Sequence, residues 1–152
     1  MKQSVKILLF VGFFSGAGIG GRGQSMVPVI QQTQSMIGQV EKEGDVVDVA
    51  LYDYLFKDNN AVFSYEYQFY ANDSYTIRAI GDETRNTNLA IRVYRYVGSN
   101  WTQVKQTQAF GKAYALLPFK PVATERYRIE ISCTLTGSYT SSCFGLLIVR
   151  VE

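Results

Sequence analysis

Apolar and polar residues alternate along several short segments of this 152-residue chain. The clearest segment is residues 61–70, in which one set of alternate positions is wholly aromatic. Those positions are Phe63, Tyr65, Tyr67 and Phe69. Successive side chains of a β-strand point to opposite faces, so alternation with a period of two predicts a strand that buries one face. The pattern restricts the chain to a fold built of sheets.

The same pattern recurs about eight times, with turn residues between most of the segments. Besides residues 61–70, the predicted strands are 46–54, 74–80, 89–96, 101–107, 112–117, 127–133 and 143–151. Tyr, Phe, Val and Ile supply most of the apolar content, which is the composition of a sheet rather than a helical bundle. We predict an all-β fold, a two-sheet antiparallel β-sandwich or jelly roll of about eight strands.

The chain divides into three predicted segments: a signal peptide at 1–23, a linker or short helix at 24–44, and a β-sandwich domain at 45–152. The first segment has lysines, then the apolar run 7–14, then mostly small residues, which is the order of a secretory signal. That run is shorter than the roughly 20 apolar residues that span a bilayer. We expect a secreted, periplasmic or cell-surface protein without a membrane span after cleavage. The alternative is an uncleaved membrane anchor.

The charge of the chain argues against nucleic-acid ligands. Fifteen Lys and Arg against thirteen Asp and Glu give a net charge of +2. Removal of the signal takes away Lys2, Lys6 and Arg22, which leaves about −1. No remaining segment concentrates Lys or Arg, so we expect no nucleic-acid partner.

Cys133 and Cys143 lie at the facing ends of two predicted strands, 127–133 and 143–151. Two cysteines in an exported chain predict a disulfide more strongly than a nucleophile. If the two strands form a hairpin with the cysteines opposite each other, their apolar positions also face each other. The pattern therefore predicts a hairpin closed by a Cys133–Cys143 disulfide.

Three aromatic residues are candidates for ligand binding. Tyr94 and Tyr96 lie opposite to the apolar positions of strand 89–96, and Trp101 follows the next turn. Exposed aromatic rings stack on the apolar faces of sugars, so these residues predict a platform for carbohydrate. The alternative is that they cover the second face of a sheet or pair across strands.

Catalytic and metal chemistry have little support in the sequence. The chain has no histidine, which excludes His-based triads and most zinc sites. Asp45, Asp48, Asp82 and Glu83 are weak candidates for oxygen ligands of calcium, although their spacing matches no calcium loop. The alternative is that they are solvated carboxylates in turns. We expect a protein that is not an enzyme and has no cofactor.

Two asparagines have the form of N-glycosylation acceptors. Asn72 and Asn100 each begin an Asn-x-Ser/Thr sequence. Such acceptors are modified only in a eukaryotic secretory pathway.

Three runs of the chain resemble the bacterial pre-peptidase C-terminal domain. They are residues 65–81, 89–94 and 119–131, and the resemblance extends over roughly 46–151. In order, they contain an aromatic-rich strand, a small-residue turn, an alternating apolar strand, a strand that alternates Leu, Ile and Val with other residues, and a late Tyr127 followed by alternating Ile. The resemblance implies a secreted jelly-roll sandwich that is not catalytic and serves an exported enzyme or surface protein.

This chain departs from that family at two places. Asn72 and Asp73 stand where the family usually has Gly, and Asn88 stands where it has Asp before the Leu-containing strand. Residue patterns and resemblance together predict a secreted, non-catalytic binding or accessory module that is stabilised by one disulfide. Its expected partner is a protein or a polysaccharide at the cell surface. The alternative function is that of a carbohydrate-binding module with an exposed Tyr/Trp platform.

Overall fold

The computed structural model of the protein describes residues 25–152. It contains one α-helix followed by eight β-strands. The helix is α1 (Val27–Glu43), and the strands are β1 (Val46–Phe56), β2 (Val62–Phe69), β3 (Ser74–Gly81), β4 (Asn86–Val97), β5 (Asn100–Ala109), β6 (Tyr114–Phe119), β7 (Glu125–Leu135) and β8 (Ser141–Val151). The predicted signal peptide, residues 1–23, lies outside the described residues. Within residues 25–152, no helix combines the length and apolar character needed to cross a membrane.

The eight strands form two antiparallel sheets of four strands each. Sheet A has the order β1-β8-β3-β6, and sheet B has the order β2-β7-β4-β5. Strands that are consecutive in the chain mostly alternate between the sheets, and β4–β5 is the one hairpin within a sheet. This is the order of an eight-stranded jelly roll with two Greek keys. The predicted fold class is confirmed.

The inner faces of the two sheets supply the main core. Phe69 lies near its centre with no exposed surface. Its ring makes edge-to-face contacts with Tyr75 at 4.8 Å, Phe119 at 5.0 Å and Tyr127 at 5.7 Å between centroids. Other buried core residues are Leu55, Ile77, Leu89, Ile91, Ile129, Ile131, Phe144, Leu146 and Ile148. Edge-to-face aromatic pairs stabilise a core beyond the area that they bury.

The predicted hairpin of the last two strands is wrong. β7 pairs with β2 and β4 in sheet B, whereas β8 pairs with β1 and β3 in sheet A. The alternation that starts at Cys143 predicts that Leu147 and Val149 share a core with β7, but these two residues pack under α1. The opposite set of β8, Phe144, Leu146 and Ile148, enters the main core with Ile131 of β7. Alternation identifies which side chains are buried but does not identify which strands share hydrogen bonds.

The segment that the sequence left open between linker and helix, residues 24–44, contains α1. Pro28 lies in the first turn, where a missing backbone N–H costs no hydrogen bond. Gly44 ends the helix in the left-handed conformation, with φ of 94°. The helix ends are thus encoded locally by a proline and a glycine.

Helix α1 covers the outer face of sheet A and buries the second face of β8. Val40 of the helix is fully buried against Leu147 and Val149. Gly145 allows the close approach, because a Cβ at that position would lie 2.5 Å from Oγ1 of Thr33. β8 is therefore apolar at almost every position, as expected for a strand that is buried on both faces.

The outer face of sheet B is exposed to the solvent. On its edge strand β2, the outward residues Ser64, Glu66 and Gln68 are exposed. The outer face of sheet B contains the candidate site.

Candidate functional site

The β4–β5 hairpin places the three predicted aromatic residues on the outer face of sheet B. Tyr96 pairs directly with Trp101, and Tyr94 pairs with Gln103. A register shift after Val93 marks a one-residue bulge in β5. The bulge lies beyond Trp101 and changes the parity only of the later residues of β5. Val97 pairs with Asn100, so the two-residue turn at 98–99 sets Trp101 opposite Tyr96 on the same face as the two tyrosines.

The three aromatic side chains do not form a flat platform. The rings of Tyr96 and Trp101 have centroids 5.2 Å apart and are inclined by 63°. Tyr96 is 53% exposed, whereas Tyr94 and Trp101 are half-buried. The arrangement presents one open tyrosine ring beside the edge of a tryptophan, in place of three coplanar rings.

Two contacts of Arg128 on β7 join β2 and β5 beside these rings. The guanidinium of Arg128 lies over the ring of Trp101, with Cζ 4.3 Å from the centroid. Its Nη2 is also 3.2 Å from Oε1 of Glu66 on β2. Cation–π and ion-pair contacts at half-exposed sites are each worth up to about 1 kcal/mol. Arg128 thus links the β2 edge of the face to the β5 edge.

A second acidic residue of the face is held by a tyrosine. Burial raises the pKa of the Tyr94 hydroxyl, and a hydrogen bond to Glu130 raises it further. Beside this pair, Nη1 of Arg92 donates to Oγ of Ser132 at 2.8 Å. The tyrosine hydroxyl, the carboxylate and the guanidinium are the kinds of groups that bind sugar hydroxyls.

The register defines two neighbouring rows of side chains across the face. The Arg128 row consists of Glu66, Arg128, Tyr94 and Gln103. The Arg126 row is two residues nearer the β4–β5 turn and contains the pairs Gln68–Arg126 and Tyr96–Trp101. The pairing of β4 with β7 ends at Arg95–Tyr127, and its continuation by one residue sets Arg126 level with Tyr96. Each row spans four strands and therefore about 14 Å.

The sequence identified the aromatic members of the face and missed the charged ones. Arg128 and Glu130 alternate with the core positions of β7, and Glu66 alternates with those of β2. That alternation places them on an outer face. Only the order β2-β7-β4-β5 shows that this is the face of Tyr94 and Trp101.

The predicted Cys133–Cys143 disulfide is not present in the described residues. The Cys133 side chain packs at the margin of the main core, from the inner face of sheet B. Cys143 lies on the outer face of sheet A, where its sulfur is 3.9 Å from the backbone oxygen of Ser25. Sheet A therefore separates the two side chains, and a bond between them would require rearrangement of the backbone.

We expect the free energy of unfolding to fall as the pH rises above 9. Burial raises the pKa of Cys133 and of Cys143 to about 11, from 9.0 in an exposed thiol. Burial also raises the pKa of Tyr75 to about 12, from 10.0. The unfolded chain loses these protons at the lower values, so the stabilisation is complete below pH 9 and is lost through pH 11 to 12.

Urea denaturation in reducing buffer at pH 8, 9.5 and 11 measures this effect. The Cys133→Ala variant should show a shallower decline, because one of the shifted groups is absent. An unfolding free energy that stays constant between pH 8 and pH 11 would contradict the burial of the thiols.

The four acidic candidates for a cation site lie at opposite ends of sheet A. Asp45 and Asp48 lie at the start of β1, whereas Asp82 and Glu83 follow β3, level with the far end of β1. No group of three or more His, Cys, Asp and Glu side chains within residues 25–152 is arranged to hold a metal ion.

Three of these carboxylates have structural partners. Oδ1 of Asp45 accepts a hydrogen bond from the backbone N–H of Glu152 at 3.2 Å. Oδ2 of Asp48 accepts a hydrogen bond from the Tyr67 hydroxyl at 3.1 Å, and its Oδ1 is 3.5 Å from Arg150. Burial raises the pKa of Asp48, an effect that Arg150 opposes. Oδ1 of Asp82 accepts hydrogen bonds from the backbone N–H and the hydroxyl of Thr84. Asp48 therefore links the start of β1 to β2 and β8, whereas Asp82 stabilises the turn after β3.

No protein-family model and no curated protein sequence matches the chain. Among solved structures, the fold is similar to one described as "CBM4 structure and function", with 16% identity over 76% of this chain and 83% of that chain and a TM-score of 0.39. It is also similar to the Yersinia pseudotuberculosis-derived mitogen, with 13% identity over 60% of this chain and 86% of that chain and a TM-score of 0.34.

Proposed function

We propose that this chain is an exported, non-catalytic module that binds polysaccharide on the outer face of sheet B. The observation that carries the proposal is the position of Tyr94, Tyr96 and Trp101 on the sheet face that α1 leaves uncovered. The order of charged, apolar and small residues in segment 1–23 supports export.

The chemistry of this face suits a sugar chain. Sugar rings have apolar C–H faces that pack on aromatic rings, and Tyr96 presents an exposed ring. Sugar hydroxyls both donate and accept hydrogen bonds, and the face surrounds the rings with amides, guanidinium groups and carboxylates. Gln103 and Gln106 are exposed on β5 beside Tyr94 and Arg92. Apolar rings with a few polar groups around them are typical of a small-ligand or sugar site.

The contacts of the two carboxylates on this face support a role in binding rather than in catalysis. A glycosidase needs one carboxylic acid and one carboxylate that are both available to the sugar. On this face Glu66 pairs with Arg128, and Glu130 bonds to Tyr94. The absence of histidine from the sequence also removes the commonest general base.

Isothermal titration calorimetry against a panel of neutral and acidic soluble polysaccharides tests the proposal. We expect saturable binding to at least one of them. Trp101→Ala and Tyr96→Ala should each weaken that binding about tenfold or more, because buried aromatic contacts carry most of the energy of an interface.

Phe110→Ala is the matched control, because Phe110 is 77% exposed and lies in the turn after β5, at the end opposite the β4–β5 turn. We expect this variant to bind as the unchanged protein does. If no polysaccharide of the panel binds, or if Phe110→Ala weakens binding as much as Trp101→Ala, the proposal is wrong. A protein partner at the cell surface then becomes the leading alternative.

A further inference from the structure

The charged residues of the outer face of sheet B differ in whether the protein itself neutralises them. In the Arg128 row, Glu66 lies directly opposite Arg128, and the two side chains form an ion pair at 3.2 Å. In the Arg126 row, the corresponding position opposite Arg126 is Gln68, which has no charge. The same cross-strand geometry thus gives a closed ion pair in one row and an arginine without a carboxylate in the other.

Arg126 is exposed, and no side chain of the described residues forms an ion pair or a hydrogen bond with it. Its neighbour in sequence, Glu125, pairs with Arg95 instead. The next carboxylate on β2, Glu66, is taken by Arg128. Arg92 of the same face also forms no ion pair, but it donates to the Ser132 hydroxyl. Arg126 is therefore the exposed guanidinium of this face that no described side chain engages.

The position of Arg126 relates it to the aromatic rings. Arg95 pairs with Tyr127, so the next step of the register sets Arg126 level with Tyr96. Tyr96 is in turn opposite Trp101. The backbones of Arg126 and Tyr96 are therefore about one strand spacing, or 5 Å, apart, so a ligand on the exposed ring of Tyr96 would lie within reach of the Arg126 side chain.

We propose that the ligand is an acidic glycan, a polymer with sugar carboxylates, and that Arg126 binds one of those carboxylates. This inference rests on the proposed function, the binding of polysaccharide on the outer face of sheet B. An arginine guanidinium pairs with a carboxylate through two parallel hydrogen bonds, which gives both strength and orientation. The net charge of the chain without its predicted signal is about −1, so a general attraction for polyanions does not explain such a preference. The selectivity would come from this one position.

Polygalacturonate and its fully methyl-esterified form provide a matched pair of probes, because the ester removes the charge and keeps the chain. We expect the protein to bind polygalacturonate about tenfold or more tightly than the ester in calorimetric titrations at low salt. Arg126→Gln should abolish that preference. Gln68→Glu should abolish it as well, because the new carboxylate would pair with Arg126 as Glu66 pairs with Arg128.

Lys112→Gln is the control for net charge, because it removes one positive charge from the exposed turn after β5. This variant should keep the preference. If Lys112→Gln reduces it as much as Arg126→Gln does, the attraction is nonspecific and the inference fails. Equal binding of both probes, or of a neutral glycan alone, overturns the acidic ligand and leaves the proposed function standing. If no polysaccharide binds, both the acidic ligand and the proposed function are wrong.

Discussion

Phe69→Ala is expected to lower the free energy of unfolding by about 3–5 kcal/mol. Phe69 is fully buried, and its ring contacts four other rings, including Tyr67 at 4.8 Å between centroids. Removal of the ring loses its burial and leaves a cavity that strands of both sheets line. Since domains of this size are stable by only about 5–15 kcal/mol, the variant should be marginally folded.

Urea denaturation followed by circular dichroism measures this loss. Phe110→Ala removes the same ring from a 77% exposed position and should change the free energy by less than about 0.5 kcal/mol. Equal stability of the two variants would show that Phe69 is not at the centre of the core.

Val40→Asp is expected to release α1 from sheet A. Val40 is fully buried in a small apolar cluster with Val47, Ile80 and Leu147. A carboxylate there would have no partner in the cluster, so burying it would cost more than about 3 kcal/mol. The cheaper outcome is detachment of the helix, which exposes the outer face of sheet A to water.

Dye binding and limited proteolysis detect the detached helix. Val40→Asp should increase the fluorescence of a hydrophobic dye and allow cleavage within α1, while the strand signal in circular dichroism remains. Gln34→Asp introduces the same charge at an exposed position of the helix and should change neither property. A Val40→Asp protein that resists both probes would contradict the packing of α1 on sheet A.

The sequence predicted the strands of this fold better than their pairing. Alternation along residues 61–70 correctly distinguished the inner from the outer positions of β2. It did not show that β7 and β8 lie in different sheets, because β8 is apolar on both faces and either set of its alternate positions can be matched to those of β7. The jelly-roll order is set by contacts between distant segments, which no local pattern records.

The candidate site was only partly predictable, because it also depends on how distant strands pair. Tyr94 and Tyr96 were placed on an outer face by alternation, and that holds in β4. Trp101 faces the same way because the two-residue turn at 98–99 pairs it with Tyr96, whereas the sequence has no distinct signal for the one-residue bulge farther along β5. Arg126 and Arg128 join the site only through the pairing of β7 with β4 and β2.

Chemical-shift mapping by NMR tests most directly whether the outer face of sheet B binds glycan. The ¹⁵N-labelled protein would be titrated with oligosaccharides of the polysaccharides in the panel. We expect the largest shifts at the backbone amides of Tyr94 and Tyr96, at the indole N–H of Trp101, and at the amides of Arg126 and Arg128. Shifts confined to α1, β1 and β8, or no shifts with any oligosaccharide, would contradict glycan binding on this face.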